Sequence, residues 1–298
     1  MKYLLPALGL ATALTVSSHA LAEDPHAVHD DHAGHGVNSE NLFGVLAGSD
    51  LLPAGALEIT SDTSARLGKR GGNYTALGEN LGVSYGVNSI FSVSLSALAS
   101  SHSVKNVDGL EDTSRTAFPG GVSGELRLRL LDRAHAPVGV TLSVAPGWQN
   151  VDQRSGKQAS VLSVEDVLSI DTAVVPNKLF AAINLTHGYE HGKETGASAW
   201  ANGTTLGLGG ALTYAVLPNV FVGGQVRYAR AYEGSAADHF LGDAVFAGPS
   251  AYVQISHNAW ASLSWSMQVT GREVGVSNGL NLSDFERHQV RAKIGFEF

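Results

Sequence analysis

Apolar and polar residues alternate along several parts of the chain with a period of two, the signature of β-strands whose two faces meet different surroundings. The last segment shows it most plainly. Gln289, Arg291, Lys293, Gly295 and Glu297 share one face, and His288, Val290, Ala292, Ile294, Phe296 and Phe298 take the other. Leu126, Leu128 and Leu130 stand against Glu125, Arg127 and Arg129, and Phe91, Val93, Leu95 and Ala97 against Ser92, Ser94 and Ser96. Leu179, Ala181, Ile183 and Leu185 oppose Ala182, Asn184 and Thr186, while Ala261, Leu263, Trp265, Met267 and Val269 oppose Ser262, Ser264, Ser266, Gln268 and Thr270.

Extended through the chain, the pattern predicts strands near residues 55–66, 75–85, 90–104, 120–131, 138–151, 160–175, 179–190, 204–217, 220–232, 245–256, 259–273 and 287–298. Short connections (Gly86 to Ser89, Asp132 to Pro137, Pro176 to Lys178, Pro218-Asn219 and His257-Asn258) alternate with long ones. That alternation is expected of an all-β, transmembrane, antiparallel up-and-down β-barrel of about 12 strands, with tight periplasmic turns, larger external loops and both termini periplasmic. Closure follows from energetics, because each backbone N–H and C=O in hydrocarbon needs a partner within the protein. Two residues strain the pattern: Glu79 and Asp166 fall on the lipid face unless a bulge shifts the phase or they lie near the rim.

Composition alone leaves a soluble all-β protein open, with 44% of residues hydrophobic and 15% charged. The N-terminus narrows the choice. Met1-Lys2, the apolar run Tyr3 to Val16 and Ser17-Ser18-His19-Ala20-Leu21-Ala22 read as a secretory signal peptide, residues 1–22, cleaved before Glu23. No Cys follows the cleavage site, which argues against a lipoprotein anchor, and the absence of cysteine rules out a disulfide framework. After the leader no stretch approaches the roughly 18 to 20 apolar residues of a spanning helix, so a membrane protein of this kind must cross with strands. The formal net charge is -8, more negative once Lys2 leaves with the leader, which argues against a nucleic-acid partner.

The polar faces predict a lumen of mixed sign, lined by Glu58, Asp62, Arg66, Glu125, Arg127, Arg129, Glu165, Asp171, Arg227, Arg272, Arg291 and Lys293, with Glu297 at its end. Glu58 and Asp62 of the first strand are expected to face Arg291 and Lys293 of the last across the closing seam. Twelve strands enclose more space than side chains fill at about eight, so a hydrated pore is expected.

The ending Ala292-Lys293-Ile294-Gly295-Phe296-Glu297-Phe298 resembles the terminal signal of bacterial outer-membrane proteins, with Ile294, Phe296 and Phe298 as the residues an assembly machinery would read. Asn41-Leu42-Phe43-Gly44 leading to Gly48-Ser49-Asp50, then Gly68-Lys69-Arg70-Gly71-Gly72-Asn73-Tyr74, and Leu130-Leu131-Asp132-Arg133 before a Pro turn are similar to proteobacterial outer-membrane barrels of the transporter group named for the MetA phenol-degradation pathway. The resemblance implies a transport-type barrel in the outer membrane, in contact with outer-membrane lipid and lipopolysaccharide and with the barrel assembly machinery. It implies no particular cargo.

Residues 23–54 precede the barrel, residues 55–298. In them His26, His29, His32 and His35 recur every third position, beside Asp30 and Asp31. A polyproline II segment would align the four imidazoles on one face, and imidazole with carboxylate suits Zn2+, Ni2+ or Co2+. The competing view is an acidic tail that happens to contain histidines. Val37 to Ala54, with Leu42, Phe43, Leu46, Leu51 and Leu52, is too apolar for a plain linker and is expected either to plug the lumen or to lie against the periplasmic mouth. His191 and His239, with Glu190, Asp238 and Asp243, are candidates for an outer site.

Together these residues predict a channel or transporter for divalent transition-metal ions gathered by the histidine segment, with no cofactor required. The alternative is a passive pore for small organic or aromatic solutes. No nucleophile constellation stands out, and an enzyme is not expected.

Overall fold

The computed structural model describes residues 38–276 and 279–298. The strands are β1 (Leu57–Leu67), β2 (Asn73–Asn88), β3 (Phe91–Lys105), β4 (Thr113–Leu131), β5 (Gly139–Val151), β6 (Gln158–Val175), β7 (Leu179–Glu194), β8 (Ala201–Leu217), β9 (Val220–Glu233), β10 (His239–Ser256), β11 (Ala259–Glu273) and β12 (His288–Glu297). Each pairs antiparallel with its neighbours, and β1 pairs with β12, so the sheet closes on itself. Among the described residues no helix is long and apolar enough to cross a membrane.

Burial settles what composition left open. On β11, Ser264 is 3% exposed and its neighbour Leu263 55%; on β3, Leu95 is 68% exposed. A soluble sandwich buries its apolar face, whereas here the serines point inward and the leucines outward, as hydrocarbon surroundings require. This is a transmembrane β-barrel.

The strands run further than the apolar pattern foretold at the long-loop end: β4 starts at Thr113, β7 reaches Glu194, β8 starts at Ala201 and β10 at His239. Past the hydrocarbon the outer face no longer has to be apolar, so ladder pairing continues through sequence that reads as loop. At the other end the connections are tight. Asn177, one of the few non-glycine residues at positive φ, turns the chain between β6 and β7, a conformation Asn tolerates better than most residues.

Glu79 and Asp166 do face outward, with no bulge to redirect them. Ser61 and Thr63 of β1 both donate their hydroxyls to Glu79, the former at 2.6 Å, and Asp166 pairs with His187 at 2.9 Å. One lumen assignment fails. The register of β10 against β11 shifts between Val245 and Phe246, whose partners are Thr270 and Gln268, so Val269 is the extra residue. Such a bulge reverses the facing of every later residue. Arg272 therefore stands on the outer wall, 3.1 Å from Asp243 and 64% exposed, instead of lining the pore.

Candidate functional site

The lumen is occupied at its short-turn end by residues 38–54, whose backbone polar groups are met one after another by inward side chains of the wall. Val45 N–H donates to Gln225 Oε1 at 2.8 Å. Ala47 exchanges two hydrogen bonds of 2.8 Å with the Asn184 amide. Ser49 donates its N–H and hydroxyl to the two oxygens of Asp171, at 2.9 and 2.8 Å. Arg127 Nη2 donates to the carbonyls of Gly48 at 2.9 Å and Asp50 at 3.2 Å. Lys293 Nζ donates to Asn41 Oδ1 at 2.9 Å. Strands β4, β6, β7, β9 and β12 thus each contribute an anchor, and Arg133 of the β4–β5 turn pairs with Asp50.

The apolar side of the same segment explains its composition. Leu42, Phe43 and Leu46 pack with Phe180, Ala182, Ala211, Phe221, Tyr252 and Trp260, all buried. The lumen wall is aromatic here, and Phe221 stacks edge-on to both Phe180 and Tyr252 at about 6 Å. Two wall glycines leave room for the fit: a Cβ on Gly139 would meet Ser49 Oγ at 1.9 Å, and one on Gly209 would meet Leu46 Cδ2 at 3.0 Å.

At the opposite end two connections fold inward. Asn281, between β11 and β12, is fully buried and donates its N–H to Gln268 Oε1 at 2.7 Å, and Phe285 packs on the inward Phe246. Between β5 and β6, the Gln153 carbonyl accepts from Arg66 Nη2 at 2.6 Å. Lys69 Nζ reaches the carbonyls of Ser283 and Phe285 at 3.1 and 3.3 Å. A cavity of about 740 Å3 remains between the N-terminal segment and these loops.

Charge of both signs lines that cavity. Arg291 grips Asp62 through Nε at 2.9 Å and Nη2 at 2.6 Å, joining the last strand to the first. Glu125, Glu165, Arg66, Arg127, Arg227 and Lys293 also line it, with Arg227 hydrogen-bonded to Gln289 and over the Phe246 ring. Glu40 lies 3.6 Å from Arg127, and burial pushes its carboxyl above the usual carboxylate range while Arg127 acts against that rise.

Three other residues read as pore lining sit below the cavity. Glu58 is buried and accepts from Trp260 Nε1 at 2.7 Å, Arg129 pairs with Asp132 at the turn, and Asp171 is committed to Ser49. The seam register sets Asp62 opposite Lys293, with Arg291 reaching Asp62 diagonally, but sets Glu58 opposite Glu297. Asn184, Gln225, Thr141 and Thr213 escaped the sequence reading because an uncharged inward residue looks the same whether it meets water or a docked backbone. The inward glycines facing a polar lumen were the available signal.

His26, His29, Asp30, Asp31, His32 and His35 lie outside the described residues. Among the described residues no three His, Cys, Asp or Glu side chains come together as a metal site. In particular, His191 stacks on Trp200 and bonds Asn202 on the outer wall, while Glu190 lines the cavity within, so the expected outer site is not assembled. Ile294 and Phe296 face outward with Phe298 at the end of the wall, where Phe298 exchanges backbone hydrogen bonds with Leu57.

Residues 35–298 match the sequence family described as "Family of unknown function (DUF6662)". No curated protein shows significant sequence similarity to the chain. Among solved structures, the COG4313 outer membrane channel from Pseudomonas putida F1 is similar at 12% identity and a TM-score of 0.56, covering 84% of this chain and 98% of that one. The translocator domain of the autotransporter NalP from Neisseria meningitidis is similar at 12% identity and a TM-score of 0.51, covering 84% of this chain and 91% of that one. These likenesses show the fold.

Proposed function

We propose, for a chain that belongs to the DUF6662 family, that it is an outer-membrane channel whose N-terminal segment forms a gate at the short-turn end. The observation that carries the reading is the polar cavity of about 740 Å3 inside a closed barrel, floored by a segment that is bonded to the wall without being part of it. A barrel whose only role was mechanical would have its interior knitted by strand-to-strand pairs. Here Asp171, Asn184, Gln225 and Arg127 spend their hydrogen bonds on the inserted segment instead. Displacing it exchanges those bonds for water, at a net cost of about 0.5 to 1.5 kcal/mol per neutral bond.

The solute class that fits is small and polar, since the cavity presents both carboxylates and guanidiniums to hydrated ions. Divalent transition-metal ions are the leading cargo. The support is sequence continuity: the histidines run to His35, three residues before Asn38 of the inserted segment, so a metal they hold is carried on the same stretch of chain as the gate. With the short turns and both ends in the periplasm, that gate faces the periplasm. The resemblance to MetA-type transporters supports transport in general.

The test is single-channel conductance in planar bilayers, comparing the mature chain with one lacking residues 23–54. The reading expects small or rare openings for the former and a larger, persistent conductance for the latter. Equal conductance would remove the gate. Calorimetric titration of a 23–38 peptide with Zn2+, Ni2+ and Co2+ tests the cargo separately, and no binding at micromolar concentration would remove the metal.

A further inference from the structure

On the outer wall, well away from the lumen, one row of residues crosses four strands near the long-loop end. Leu206 of β8 lies opposite Arg230 of β9, Arg230 opposite Asp243 of β10, and Asp243 opposite Arg272 of β11. One rung further out, Tyr232 lies opposite Phe240. Both guanidiniums converge on a single ring, Arg230 at 4.6 Å and Arg272 at 4.8 Å from the Phe240 centroid, with Arg230 also 5.3 Å from that of Tyr232.

The charges in this cluster do not balance. Asp243 is its one carboxylate, bound to Arg272 at 3.1 Å and accepting the Tyr228 hydroxyl at 3.1 Å. Arg230 makes no hydrogen bond or ion pair among the described residues, and its Nε is buried without a partner. A guanidinium carries five N–H donors that want acceptors. The wall beside it is apolar: Leu208, Val226 and Met267 stand exposed on the same face. A cation on a barrel's lipid face costs about 2 to 4 kcal/mol at mid-membrane and about 0 to 1 near the interface, so these arginines belong at headgroup depth, where the available acceptors are those of lipids.

We propose that Arg230 and Arg272 form a binding site for the phosphate of a phosphorylated glycolipid of the outer leaflet. A phosphate offers the bidentate acceptor geometry a planar guanidinium fits. The ring of Phe240 contacts both cations before the anion arrives, and the apolar wall below receives acyl chains. A solute passing through the lumen never meets this face. The choice of leaflet rests on the long loops facing outward, as in the reading above.

The experiment uses the full mature chain in detergent, with bound lipid counted by native mass spectrometry. Four probes are compared: bisphosphorylated lipid A, the same lipid after enzymatic removal of its phosphates, phosphatidylglycerol, and inorganic phosphate as competitor. Lipid A is expected to bind at least about tenfold more tightly than its dephosphorylated form, as a charge-assisted bidentate pair implies, and than phosphatidylglycerol, whose phosphodiester carries one charge where a phosphate monoester carries about 1.5 to 2. Inorganic phosphate at millimolar concentration is expected not to displace it. R230Q/R272Q is expected to lose the preference and R230K/R272K to retain part of it, with heat-modifiable gel migration confirming a folded barrel. Equal binding of the phosphorylated and dephosphorylated lipids overturns the site, a test the unmutated protein alone can fail. Equal binding of phosphatidylglycerol, displacement by inorganic phosphate, or an undiminished preference in the folded glutamine variant also overturns it. Conductance of that variant stays at the wild-type level, so this proposal and the channel reading fail independently.

Discussion

Replacing Phe43 with Ala tests whether residues 38–54 move as a unit separate from the wall. Phe43 is fully buried at the centre of the cluster with Leu42, Leu46, Phe180, Phe221, Tyr252 and Trp260. Truncating such a residue costs about 3 to 5 kcal/mol, combining lost transfer energy with the cavity left behind. Strands β1 to β12 keep their ladder whether or not the segment is docked, because no strand pairing includes residues 38–54. The cost should therefore appear as local detachment, raising the undocked population by roughly 100-fold to several thousand-fold at about 1.4 kcal/mol per factor of ten. Hydrogen exchange reads this directly. The amides of Val45, Ala47 and Ser49 are protected only by Gln225, Asn184 and Asp171, and in F43A they should exchange faster by that factor while strand amides stay unchanged. Acceleration of less than about tenfold at the three amides, or equal acceleration in the strands, would refute the independence of the segment and with it the gate.

Lys69 should make stability depend on pH. Burial lowers its pKa from 10.5 to about 8, with Glu286 partly opposing. Between about pH 8 and 10.5 the unfolded chain binds more protons at this site than the folded one, so stability should rise with pH across that window. The melting midpoint should climb from pH 8 to 9.5 in the wild type, and K69M should flatten that climb; an unchanged slope in K69M would assign it elsewhere. Glu79, facing lipid from the middle of β2 and held by Ser61 and Thr63, should be a net liability. E79V is expected to stabilise the barrel by about 1 kcal/mol in denaturant titration, within the cost of a lipid-facing charge, and a loss of stability would show that the two hydroxyl contacts outweigh the desolvation.

The wall was legible because membrane and lumen impose their demands residue by residue. On β11, Leu263, Trp265 and Met267 must meet lipid and Ser262, Ser264 and Ser266 must not, and this requirement is written directly into adjacent positions of the chain. The twelve strands and the inward set Asp62, Arg66, Glu125, Arg127, Arg227, Arg291 and Lys293 follow from that period, and the closing contact of β1 with β12 from the need to pair every backbone group in hydrocarbon. The apolar character of residues 42–52 likewise showed that the segment needed cover.

Tertiary structure decided what alternation has no means to encode. A single extra residue, Val269, reversed Arg272 from lumen to lipid, because facing depends on the cumulative count of paired residues and a bulge changes the count without changing the pattern. The partners of the inserted segment were equally hidden: Asp171 reaches back 122 positions to Ser49, and Gln225 reaches back 180 to Val45. Such contacts are fixed by where the closed sheet brings distant strands together around one axis. Arg230 and Arg272 became neighbours in the same way, each ordinary in its own strand and meaningful only once β9, β10 and β11 bring both to the ring of Phe240.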